Sequence, residues 1–264
     1  MTTSKQHIRI VHHLARSGGT VISRCLGSMT GIMLLSEVHP NTALIQPDAF
    51  NDIDKLDPLE QAHTWFNLFE PDNIAQVRKT FSFAEIIAGI EKRASSLGLT
   101  TVIRDWTHLD YIATPFLHAA TMQLTTRAVL IERFDVISAA TVRHPIDQWF
   151  SLKRVPLMRS LSFDHYLLGY RKFAEVARNI GFIRYEDFTR DPLAEMTRLC
   201  AMLDLAVDPG FLERWCDYTR ITGDSSSART IQPAGEPAVE QSIRDAFNSH
   251  PNYRMACDLL GYER

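Results

Sequence analysis

The feature that most restricts the fold lies near the N-terminus. Ile8-Arg9-Ile10-Val11-His12-His13 is rich in β-branched residues and reads as a strand. It runs through Leu14-Ala15-Arg16-Ser17-Gly18-Gly19-Thr20 into a helical stretch that ends near Ser28. A strand, a glycine turn and a helix in that order open a βαβ unit, and the rest of the chain repeats the alternation. Strands are predicted at 100–104, near 127–131, at 135–142 and at 181–185. Helices are predicted at 59–69, 83–97, near 109–121, from Pro145, at 163–179 and from Asp191-Pro192, with two helical pieces at the end. Gly98 fits a helix stop, and Asp191 an N-cap with Pro192 at the first helical position. Residues 37–57 and 220–237, rich in Pro, Gly, Asn, Asp and Ser, read as irregular. The expectation is a three-layer α/β/α fold around a central parallel sheet. No linker or repeat divides the 264 residues, so one domain is expected over 1–264.

Charge narrows the partners. Twenty-eight basic against 31 acidic side chains leave a net charge of −3, so a general nucleic-acid binder is not expected, because that affinity rests on many basic phosphate contacts. One local anion site stays open. The polar N-terminus has no signal-peptide core and no apolar run reaches a membrane span, so a cytoplasmic location is expected. The four cysteines form no C-x-x-C pair, which points to free thiols and no structural zinc.

The glycine turn suits an anion. Its backbone can approach a ligand closely, the helix start offers unpaired N–H groups, and Arg16, Ser17 and Thr20 add a cation and hydroxyls. In the P-loop pattern G-x-x-x-x-G-K-[ST], however, Gly19 falls in the lysine slot and His13 in the first glycine slot. This disfavours a nucleotide kinase-like phosphotransferase, one alternative; a nucleotide-binding module without catalysis is another. A second anion motif runs from Arg143 at a strand end, past Pro145, to Ser151 two turns into the next helix.

Arg16-Ser17-Gly18-Gly19-Thr20 resembles the 5′-phosphosulfate loop of sulfotransferases that use 3′-phosphoadenosine 5′-phosphosulfate (PAPS). Arginine at the basic position is common in the family's bacterial members. Arg143 and Ser151, eight residues apart, resemble the family's 3′-phosphate motif. Arg184-Tyr185-Glu186-Asp187-Phe188 with Asp191-Pro192 resembles its R-Y-E-D-L…D-P run. The resemblance implies that Arg16, Ser17, Gly18, Gly19 and Thr20 hold the phosphosulfate, that Arg143 and Ser151 hold the 3′-phosphate, and that Tyr185 lies near the adenine. It also implies that Arg229, in a late polar loop, closes over the nucleotide, and that PAPS donates sulfate without a metal. Arg16 would also serve catalysis by stabilising charge on the departing phosphate.

Transfer needs a base for the acceptor's proton. Thr107-His108-Leu109 resembles the family's K-T-H-L segment, with Trp106 in the lysine position, which makes His108 the first candidate. Asp105 is the second. His12 and His13, adjacent on a strand, point to opposite faces and do not form a joint metal site. The acceptor is a small molecule or a glycan or lipid, its determinants expected in a variable helical region about 34–97. His39 and His63 lie there, and Trp65, Phe66, Phe69 and Trp106 are candidates for an apolar pocket or for core.

Overall fold

The structure is a computed structural model that describes residues 5–46, 53–223, 229–235 and 239–264. Five strands build one sheet: β1 (Gln6–His13), β2 (Ile32–Val38), β3 (Thr100–Asp105), β4 (Phe134–Val142) and β5 (Phe182–Arg184). Their spatial order is β2-β3-β1-β4-β5, and each pair is parallel. The chain leaves β1 toward the β2 edge through α1 (Gly19–Gly27), then leaves β3 in the other direction, across β1, to β4. Neighbouring strands whose connections diverge leave a crevice at their carboxyl ends, where ligands of open α/β sheets bind.

Helices cover both faces. From the N-terminal side they are α2 (Pro58–Thr64), α3 (Pro71–Thr80), α4 (Phe83–Ser96), α5 (His108–Tyr111), α6 (Thr125–Leu130) and α7 (Pro145–Lys153). There follow α8 (Phe163–Ile180), α9 (Tyr185–Arg190), α10 (Pro192–Met202), α11 (Phe211–Arg214), α12 (Gln241–Ser249) and α13 (Pro251–Leu260). Strand parity sets which side chains meet which layer. Val11 and Val102 pack with Ile22 and Leu26 of α1 and with Met196 and Leu199 of α10. Ile8, Ile10 and Ile103 pack on the opposite face with Leu59, Ile87 and Leu130. No helix among the described residues is long and apolar enough to cross a membrane.

Several boundaries match their sequence signals. Asp191 caps α10 by accepting from the Ala194 amide, with Pro192 at the first helical position. Gly98 takes a φ of 72° just past α4. Four elements differ from expectation. The run at 127–131, expected as a strand, belongs to helix α6. A short apolar run does not distinguish the two states by itself, and here the carboxylate of Asp110 accepts from the Thr125 amide at 2.9 Å, seating a helix start. The helix expected near 109–121 stops after Tyr111, because Ala113 turns to φ 59° and Thr114 precedes Pro115, which disfavours helical backbone. Strand β2 was not expected, and α3 was not predicted as a separate helix within the helical region about 34–97; Ile32-Met33-Leu34-Leu35 is a continuous apolar run with no alternation to reveal β2.

Candidate active site at the strand ends

A cavity of about 550 Å³ opens at the carboxyl ends of β1, β3 and β4. Arg16, Gly18, Gly19, Thr20, Arg143, Ser151 and Tyr185 all line it, so two motifs more than a hundred residues apart in the chain face one space.

The loop after β1 is tightly folded. Arg16 has φ 65° and Gly18 φ 84°, which aims the chain into α1. A Cβ on Gly18 would stand 2.0 Å from Cδ2 of Tyr185, and one on Gly19 2.4 Å from Cδ2 of His13. Neither position accepts a side chain without displacing a ring, so the lysine of a P-loop has no room at Gly19. The first amides of α1 lack intrahelical partners and carry the positive end of the helix. Ser17 differs in part from expectation. Its buried hydroxyl donates to the Leu14 carbonyl at 2.8 Å and shapes the loop.

The second motif is braced against the first. Gln148 of α7 donates to the Ala15 carbonyl at 2.7 Å, and Nε of Arg16 donates to Oγ of Ser151 at 3.0 Å. The Arg143 guanidinium lies 5.1 Å from the centre of the Tyr185 ring. Its Nε is buried and has no hydrogen-bond partner. An unsatisfied donor of a cation costs stability unless a ligand meets it. Glu186 fixes the corner by accepting from the His144 amide at 2.8 Å and from the Tyr262 hydroxyl at 3.0 Å.

Among the lining residues that sequence reasoning missed, two are charged, Glu37 and Arg104. Between Ser36 and Val38 the pairing of β2 with β3 shifts register, and Glu37, the extra residue, takes φ 54°. Such a bulge re-aims one side chain, and a non-glycine residue in this backbone region is strained. Here it turns a carboxylate into the cavity from the sheet edge. Nothing in Leu35-Ser36-Glu37-Val38 signals a bulge by residue type. Arg104, 2% exposed at its side chain, pairs with Glu37 Oε1 at 3.2 Å. It shares a sheet face with His13, into whose Nε2 it donates at 3.2 Å. Burial and the Arg104 charge hold His13 well below the usual histidine range, so it is neutral.

The two expected bases, His108 and Asp105, do not line this cavity. His108 is fully buried and is not among the residues lining the cavity; Trp106 and Phe116 stand there instead. Its Nε2 faces the Thr114 carbonyl at 3.2 Å and its ring packs edge-on against Phe116. Asp105 points to the opposite sheet face. It is bound to His12 Nδ1 at 2.7 Å, to the Thr107 hydroxyl at 2.6 Å and to the Thr126 hydroxyl at 2.5 Å. Burial would raise its carboxyl, but the His12 hydrogen bond and charge outweigh burial and hold it below the ordinary range. His12 and His13 thus diverge as strand parity demands, one packed and one at the cavity.

His108 carries a stability prediction instead. Burial outweighs the Thr114 carbonyl and lowers its pKa to about 4. Its folded pKa is below the unfolded value of about 6.5, so the unfolded chain binds the extra proton between them and stability rises with pH. The contribution is present above pH ~6.5 and is lost as pH falls toward ~4. Urea unfolding of wild type and His108→Asn across that range should show a shallower pH slope in the variant.

Arg229 is 80% exposed at its side chain, 3.9 Å from Asp217, and is not among the lining residues. Residues 224–228 of the expected closing loop lie outside the described residues. His39 is buried and lies 3.3 Å from Asp110, and His63 faces the Phe69 carbonyl. Phe66 and Phe69 pack in the core. Among the described residues of the expected substrate region, 34–97, Glu37 alone lines the cavity; the apolar wall is Trp106, Phe116, Val155 and Met158. The four cysteines are free, and no metal-holding group of His, Cys, Asp or Glu occurs among the described residues.

No family profile and no curated protein matches this chain. Solved structures do. The sulfotransferase domain of the Synechococcus PCC 7002 olefin synthase superposes with a TM-score of 0.67 at 18% identity, over 100% of this chain and 98% of that one. The sulfotransferase domain from the curacin biosynthetic pathway gives 0.63 at 15% identity, over 99% of each chain. The chain has the sulfotransferase fold: a five-stranded parallel sheet between helices, with the P-loop-like turn after its first strand.

Proposed function

We propose that this chain is a single-domain sulfotransferase that moves a sulfuryl group from PAPS to an acceptor hydroxyl. The observation that carries the reading is the convergence of Arg16, the α1 amides, Arg143 and Ser151 on one cavity that a carboxylate, Glu37, also enters. The residues suit the donor. The loop amides and Arg16 would hold the 5′-phosphosulfate, Arg143 and Ser151 the 3′-phosphate, and Tyr185 the adenine. The unmet Nε of Arg143 supports a further acceptor at that point. When bound, the donor supplies a sulfuryl group for the acceptor's oxygen.

Each protein group then has one task. Glu37 takes the hydroxyl proton as the acceptor attacks; it lines the cavity, whereas His108 and Asp105 do not. Arg16 neutralises charge on the departing phosphate oxygen. The wall of Trp106, Phe116, Val155 and Met158 offers few hydrogen bonds, which favours a hydroxyl carried beside an apolar group over a glycan. Free thiols fit a reducing cytoplasm. A kinase-like reaction is disfavoured by the Cβ clash at Gly19. Radiolabelled sulfate from PAPS, supplied with a panel of lipophilic alcohols and sugars, tests the reading. Label in a lipophilic alcohol supports it; label in none of the panel or of a host-cell extract, from protein that also fails to bind the nucleotide product, overturns it.

A further inference from the structure

We infer that Arg104 and Thr222 form a clamp that orients Glu37, which makes them positioning residues for the proposed base; this rests on the sulfotransferase reading above. Arg104 does not present a free donor to a ligand. Its Nε–H goes to His13, Nη1 to Ser36 Oγ at 3.0 Å and the Thr222 carbonyl at 2.9 Å, and Nη2 to Thr20 Oγ1 at 2.9 Å, while Nη2 forms an ion pair with Glu37 Oε1 at 3.2 Å. A guanidinium has five N–H groups; four of them make these hydrogen bonds, and Nη2 also forms the ion pair with Glu37.

Thr222 holds the other carboxylate oxygen. Its hydroxyl donates to Glu37 Oε2 at 2.7 Å. A hydroxyl has a single proton, so in the 2.8 Å contact between Ser36 Oγ and Thr222 Oγ1 the serine is the donor. Ser36 then accepts from Arg104 and from the Thr222 amide at 3.1 Å, which fills its two lone pairs. The network is closed and has one proton arrangement. Each Glu37 oxygen has one strong partner and keeps lone pairs for a substrate proton. The neighbouring Gly223 approaches so closely, with φ 66°, that a Cβ there would lie 2.9 Å from both Glu37 oxygens. The bulge aims Glu37, and the clamp removes its remaining rotation.

Thr222→Val preserves shape and removes both hydroxyl contacts. In the full chain, kcat should fall about ten-fold with KM for PAPS changed by less than about two-fold, and Thr222→Ser should restore most of it. In a Glu37→Gln background the same substitution should change the residual rate by less than about two-fold, because residues acting as one unit are not additive. A crystal structure of Thr222→Val should show the Glu37 carboxylate displaced, a readout independent of turnover. Arg104→Gln is the harsher variant and is informative only if it folds; Thr222→Val does not depend on it. Equal fractional losses in both backgrounds, or an unchanged kcat in Thr222→Val, would overturn the clamp. Wild-type turnover in Glu37→Gln alone would instead overturn the base assignment.

Discussion

Glu37→Gln is expected to reduce sulfuryl transfer by about 100-fold or more, the usual contribution of a positioned general base. Affinity for 3′,5′-diphosphoadenosine (PAP), the nucleotide product, should change by less than about two-fold, since Glu37 enters the cavity from the β2 edge and the proposed nucleotide anchors lie in the β1–α1 loop, the β4–α7 corner, α7 and α9. The amide keeps the side chain's size and one hydrogen-bond acceptor, so the loss would report proton transfer rather than packing. His108→Asn, measured beside it, should lower stability and spare most of the turnover. Single-turnover rates for both variants at saturating PAPS check this directly, and a large loss in His108→Asn with none in Glu37→Gln would return the base to His108.

The second large effect is at the nucleotide. Arg143→Ala should weaken PAP binding by about 10- to 100-fold. Hydrogen bonds to a charged group contribute roughly 1.5–3 kcal/mol, and each ~1.4 kcal/mol is tenfold in affinity. The guanidinium also lies over Tyr185, 5.1 Å from its ring centre, so its loss would also loosen the proposed adenine wall. Arg143→Lys should recover only part of the affinity, because an ammonium cannot bind a phosphate bidentately. The effect should shrink for a nucleotide that lacks the 3′-phosphate, which separates a phosphate contact from a general change in the cavity.

What could be read in advance follows from what is local. The turn from His13 to Thr20 is written in consecutive residues, so its glycines, its arginine and the helix start were visible, and Arg143 to Ser151 spans one helix. Strand parity separates His12 from His13 in the sequence itself. Glu37 was hidden because the bulge that exposes it arises from how β2 registers against β3, a non-local event without a glycine to announce it. The place of His108 was hidden for the complementary reason. The segment resembles a catalytic one, but the chain turns at Ala113 and sets Phe116 against that ring. Edge strand β2 and helix α6 were obscured by short apolar runs whose state is decided by tertiary partners, in α6 by the Asp110 carboxylate at Thr125.

The central claim is a nucleotide site with two anion anchors, one of them for a 3′-phosphate. Isothermal titration of the full chain with PAP and with ADP, side by side at fixed ionic strength, tests it most directly. PAP should bind at least about ten-fold more tightly, the value of one charge-assisted phosphate contact. Equal affinities, or a preference for ADP, would contradict it.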